Sequence, residues 1–65
     1  MQMLEVKVNG DLVLLNPFMI TAIKQHGKRS TLIYTSGDPV PWNVQESFEI
    51  VYERLAAAYD QTTGG

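Results

Sequence analysis

Cysteine is absent from this chain of 65 residues, and histidine occurs once. The first absence removes disulfides and thiolate zinc sites, and with them the small secreted scaffolds that depend on bridges. The second leaves no histidine pair from which a metal site is ordinarily built, so a metal would need carboxylates from distant elements. Charge is also sparse. Charged side chains are 18% of the sequence, and five Lys and Arg against seven Asp and Glu give a formal net charge of −2. The basic excess usual for nucleic-acid-binding domains is missing. Long apolar runs are missing too: residues 12–15 and 55–59 are far shorter than the ~20 residues that cross a bilayer as a helix, so no membrane insertion is expected. Residues 1–7 hold no cationic segment followed by an apolar one, so no signal peptide is expected and a cytoplasmic location is the default.

What is present suits one small domain over residues 1–60, with residues 61–65 as a flexible polar tail. A chain this short buries only about 60% of the surface its unfolded form exposes, and association between copies is a common remedy. Leu4, Val6 and Val8 alternate with Glu5 and Lys7, the period of a half-buried strand. Asn9-Gly10 readily takes the positive φ of a two-residue turn, which pairs that strand with residues 12–15 in a hairpin. Residues 12–15 are apolar on both faces, which predicts a central strand covered on each side.

Asn16-Pro17 interrupts the strands with an N-cap residue and a favoured first helical residue, predicting one helical turn over residues 17–19. Residues 20–25 return to strand; the spacing of three between Ile20 and Ile23 calls for a bulge. His26-Gly27-Lys28-Arg29 separates this strand from residues 30–35, in which Leu32 and Tyr34 share one face while Thr31, Ile33 and Thr35 share the other. Ser36-Gly37-Asp38 makes the next turn. Residues 38–44, with Pro39 and Pro41, read as an edge strand blunted against open-ended pairing, or as an extended loop.

From residue 45 or 47 the period becomes helical. Phe48, Val51, Tyr52, Leu55, Ala56 and Tyr59 form an apolar stripe. Asn43 with Glu46 has capping-box spacing, and Ser47 is a second N-cap candidate. The expected fold is α+β: a small curved antiparallel sheet of four to five strands with one C-terminal α-helix packed on it. The expected core is Leu4, Val6, Leu12, Leu14, Ile20, Ile23, Leu32, Tyr34, Trp42, Phe48, Val51 and Leu55.

Chemistry is thinly provided. His26 stands alone on a turn, and Ser30, Ser36 and Ser47 sit where backbone hydrogen bonding explains them. Gly10, Gly27 and Gly37 mark three separate turns, and none opens the helix as a phosphate loop requires. No catalytic residue, cofactor, metal or small-molecule substrate is therefore expected; an active site shared between subunits is the weakest of the readings. Lys24, His26, Lys28 and Arg29 do crowd one turn, while Glu46, Glu49, Glu53 and Asp60 lie along the helix. The basic turn is either an ordinary solvated loop, a grip on nucleic-acid phosphates, or the complement of another copy's acidic helix in head-to-tail contact. Trp42 beside Pro41 is the other candidate for a partner-binding residue, against a place in the core.

The order of features is itself suggestive. Val8-Asn9-Gly10 closes the first strand, Leu15-Asn16 the second; Thr31-Leu32-Ile33-Tyr34-Thr35 precedes Gly37, and Val44-Gln45-Glu46-Ser47-Phe48-Glu49 leads into Val51 and Leu55. Over residues 3–59 the chain resembles the small bacterial flagellar FlbD-like family, which includes the SwrD swarming motility proteins. It departs from the family at residues 38–42, at Ile50 in place of an acidic residue, and in its Ala-rich, Gly-Gly C-terminus. The resemblance implies a cytoplasmic accessory of flagellar motility that acts through protein contacts, with no catalytic residues to carry over. The leading expectation is thus a non-enzymatic protein–protein interaction module, a homo-oligomer. A nucleic-acid-binding regulator using residues 24–29 and a phage-encoded protein of the same frame are the alternatives.

Overall fold

The computed structural model describes residues 2–63, with side chains through Asp60. Its elements follow the chain as β1 (Leu4–Val8), β2 (Asp11–Leu15), a single 3₁₀ turn (Pro17–Met19), β3 (Ile20–Gln25), β4 (Thr31–Thr35), β5 (Trp42–Val44) and α1 (Phe48–Thr63). This is the α+β class that the patterns require. The five strands are divided between a two-stranded antiparallel sheet, β1-β2, and a three-stranded one, β3-β4-β5. The two sheets abut along β1 and β5, where the N–H of Gln45 donates to the carbonyl of Lys7 at 3.0 Å.

Local chemistry accounts for the punctuation. Asn9 and Gly10 adopt φ of 52° and 84°, the left-handed pair that a two-residue turn needs. Asn16 caps the 3₁₀ turn, its side chain accepting from the N–H of Phe18 at 3.0 Å. The register of β3 against β4 shifts between Ile20 and Ala22. This bulge accommodates Thr21 and lets Ile20 and Ile23 both pack against the core. Ser47, rather than Asn43, caps α1: its Oγ accepts from the N–H of Ile50 at 3.4 Å. Strand β5 is only three residues long, so Pro39 and Pro41 lie in the loop before it. The helix continues through residues 61–63, into the segment expected to be a tail; Gly64 and Gly65 lie outside the described residues.

The core comprises Leu4, Val6, Leu15, Ile33, Val44, Val51 and Leu55, with Val8, Val13, Ile20, Ile23, Trp42 and Tyr59 packed partly against it. Five expected members are displaced. Leu12 and Leu14 are 60% and 53% exposed, because the turn sets Leu4 opposite Leu15 and Val6 opposite Val13. The inward face of β2 is therefore Val13 and Leu15. On β4 the inward residues are Thr31 and Ile33, leaving Tyr34 exposed and Leu32 half-buried. A threonine is tolerated there since the fully buried Thr31 donates its hydroxyl to the carbonyl of Glu46 at 2.9 Å. Phe48 is half-buried at the start of α1, where its ring stacks on the exposed Tyr52 with centroids 6.4 Å apart.

Arg54 fastens the helix to the sheets. Its Nη1 lies 2.7 Å from both carboxylate oxygens of Glu46 and donates to the Glu5 carbonyl at 3.2 Å. Further along α1, the Tyr59 hydroxyl donates to the carbonyl of Pro17 at 2.7 Å, and its ring meets Phe18 at 6.1 Å. No helix among the described residues is long and apolar enough to cross a membrane.

Candidate interaction site

The side chains singled out in the sequence occupy two separate regions. Lys24 ends the outward face of β3, opposite Leu32 of β4. His26, Lys28 and Arg29 follow in the β3–β4 loop, all exposed. Backbone geometry shapes this loop: Gly27 has φ of 76°, and the N–H of His26 donates to the carbonyl of Ser30 at 2.9 Å. Lys28 also lines a groove of about 260 Å³ with Gln25, Ser47, Phe48 and Glu49. The basic loop and the acidic start of the helix thus share one side of the molecule, and each moderates the field of the other.

Trp42 belongs elsewhere. It pairs with Ile33 on the inward side of β5 and is half-buried against the core. Its Nε1 donates to the hydroxyl of Thr35 at 3.2 Å, and that hydroxyl donates to the Asp38 carboxylate. The indole thereby fixes the loop that carries Pro39, Val40 and Pro41. With those residues and Asp38 it lines a shallow apolar hollow of about 240 Å³. Both partner-binding candidates exist, but the fold does not bring them together.

Further apolar exposure lies on two leucines expected in the core. Leu12 and Leu14 stand side by side on the outward face of β2, beside Lys7 and Glu5 of β1. A groove of about 390 Å³ runs along this side between residues 2–7, Leu12, Glu46, Arg54 and Ala57. A second outward apolar pair, Leu32 and Tyr34, lies on β4. The hairpin turn carried the signal that identifies the first pair: a two-residue turn after Val8 puts Leu12 and Leu14 on the same face as Lys7 and Glu5.

Titratable groups are dispersed. Among the described residues, no three His, Asp or Glu side chains gather where they could hold one metal ion. Every buried side-chain nitrogen and oxygen in the described region has a hydrogen-bond partner. Comparison with protein families, curated proteins and solved structures finds no significant match for this chain.

Proposed function

We propose that this protein is a non-enzymatic protein–protein interaction module that associates with copies of itself and acts in the cytoplasm as an accessory of a larger assembly. The observation that carries this reading is the pair Leu12 and Leu14, 60% and 53% exposed on neighbouring positions of an outward strand face. Two leucines left about half in water forgo about 1–1.5 kcal/mol each of possible burial, roughly half the value for a fully exposed side chain. Paired surface leucines on a strand are a means of contact with protein. The resemblance to flagellar FlbD-like proteins supports a motility accessory as the assembly's setting. Sedimentation velocity of the pure protein, from low to high micromolar concentration, tests the reading. A sedimentation coefficient that rises with concentration is expected; a monomer throughout contradicts self-association.

The clustering of Lys24, His26, Lys28 and Arg29 on one exposed loop favours a second reading, a grip on nucleic-acid phosphates. Three fixed cations provide about three phosphate contacts, hence weak and strongly salt-dependent binding. Lys28→Ala with Arg29→Ala would weaken it. Absence of binding to random DNA and RNA oligonucleotides at low salt removes this reading.

A further inference from the structure

The edge of β2 away from β1 carries a row of main-chain groups with no strand beside it among the described residues. Val8 and Asp11 flank a two-residue turn and so form a hydrogen-bonded pair. Alternation along the ladder makes Val6–Val13 and Leu4–Leu15 hydrogen-bonded as well, and leaves Lys7–Leu12 and Glu5–Leu14 as the non-bonded pairs. Two contacts agree with this parity: the carbonyls of Lys7 and Glu5 point away from β2, accepting from Gln45 at 3.0 Å and from Arg54 at 3.2 Å. The N–H and C=O groups of Leu12 and Leu14 must therefore point away from β1. Among the described residues, nothing hydrogen-bonds to them there.

This edge is lightly protected, with one charged residue, Asp11, at the start of a five-residue strand. Strand β2 reads Asp-Leu-Val-Leu-Leu, without lysine, proline or bulge. The free edge of the other sheet, β3, has both a bulge and Lys24. Main-chain donors and acceptors in a row, beside exposed leucines, are the elements of strand addition.

The geometry points to an antiparallel β2–β2 dimer with its two-fold axis at Val13. This proposal rests on the self-association reading and names the surface and partner. Leu12-Val13-Leu14 reads the same in both directions, so a two-fold axis through Val13 superposes apolar on apolar at these three positions, with Asp11 opposite the partner's Leu15 at the ends. Leu12 then faces the partner's Leu14 as a hydrogen-bonded pair, Leu14 faces the partner's Leu12 likewise, and all four leucines form one outward cluster. Charge is compatible with the same orientation. Each cross-strand row becomes Lys7, Leu12, the partner's Leu14 and the partner's Glu5, with opposite charges at its two ends. Parallel pairing through the same edge would turn one copy over and set its outward leucines beside the partner's inward face. Across about 14 Å, three strand spacings, the charges favour orientation more than affinity.

Val13→Cys tests the axis, since the chain has no other cysteine. Non-bonded antiparallel partners lie ~4.5 Å apart at Cα, within disulfide range. Oxidation of Val13→Cys should yield a covalent dimer quickly, whereas Arg29→Cys, on the distant loop, should cross-link at least about tenfold more slowly. In sedimentation, Leu14→Lys should weaken dimerisation by about tenfold or more, with circular dichroism confirming the fold. A synthetic chain with N-methyl-Leu14 removes one edge donor and should act likewise. If the wild-type chain associates but Leu14→Lys and N-methyl-Leu14 associate equally well, the edge proposal is overturned while self-association stands. Equal cross-linking of Arg29→Cys and Val13→Cys also overturns it. A wild-type monomer at every concentration overturns both.

Discussion

Gln45 holds the tip of the first hairpin: its Oε1 accepts the backbone N–H of Asn9 at 2.6 Å. The same residue donates from its backbone N–H to Lys7 and from Nε2 to the carbonyl of Asn43, each at 3.0 Å. It ties together the two sheets where β1 meets β5. Its neighbours have structural tasks as well. Val44 is fully buried, Glu46 receives Arg54 and Thr31, and Ser47 caps the helix. The tetrad Val44-Gln45-Glu46-Ser47 is a junction of sheet, sheet and helix.

Gln45→Ala should therefore lower stability by about 1 kcal/mol, the typical net worth of such hydrogen bonds. In a domain of this size that is a fall of about 4–8 °C in Tm. Thermal unfolding followed by circular dichroism measures it. An unchanged Tm would show that water replaces the side chain at no cost.

Gly10 lies at φ of 84° with open space where a Cβ would be placed. A substitution there meets backbone strain and no steric clash. Gly10→Ala should cost about 1–2 kcal/mol, and D-alanine at the same position, introduced by synthesis, should restore or exceed wild-type stability. Equal losses for both enantiomers would refute a backbone origin.

Adjacent residues on β4 test which face is inside. Ile33→Ala removes a fully buried side chain and should cost about 2–5 kcal/mol. Tyr34→Ala, on the outward face and 36% exposed, should cost less, about 1 kcal/mol, from strand propensity and partial burial. Chemical denaturation of the two variants separates them, and the opposite ranking would mean that the strand is turned over.

That face was the part of the fold hardest to read. Turns, caps and element types follow from local chemistry: Asn9-Gly10, Asn16-Pro17 and Ser47 each act through atoms within a few residues. Which face of β4 turns inward depends on partners far along the chain. Leu32 and Tyr34 are more apolar than Thr31 and Thr35, yet the hydroxyls of both threonines are bonded, one to Glu46 and the other to Asp38. On β2 the answer was legible by counting back from the turn, but Leu12 and Leu14 are as apolar as Val13 and Leu15, so composition gave no warning. The site suffered the same exchange. Lys24, His26, Lys28 and Arg29 were recognisable as an exposed basic loop, whereas the exposed leucines looked like core.

Thr31→Val keeps the shape of a fully buried side chain and deletes its hydroxyl. The carbonyl of Glu46 then loses the donor it has at 2.9 Å, which should cost about 1–3 kcal/mol. Equilibrium urea unfolding gives the value. A neutral or stabilising change would indicate that this carbonyl is reached by water.

The account turns on the outward edge of β2, and amide hydrogen exchange at Leu12 and Leu14 reads that edge directly. Both N–H groups point away from β1, while the N–H of Val13 pairs inward with Val6. At high protein concentration all three amides should exchange slowly. On dilution, Leu12 and Leu14 should lose protection by about tenfold or more, with Val13 unchanged. Rapid exchange of Leu12 and Leu14 at every concentration, with Val13 still protected, would contradict the dimer and leave β2 an unpaired edge.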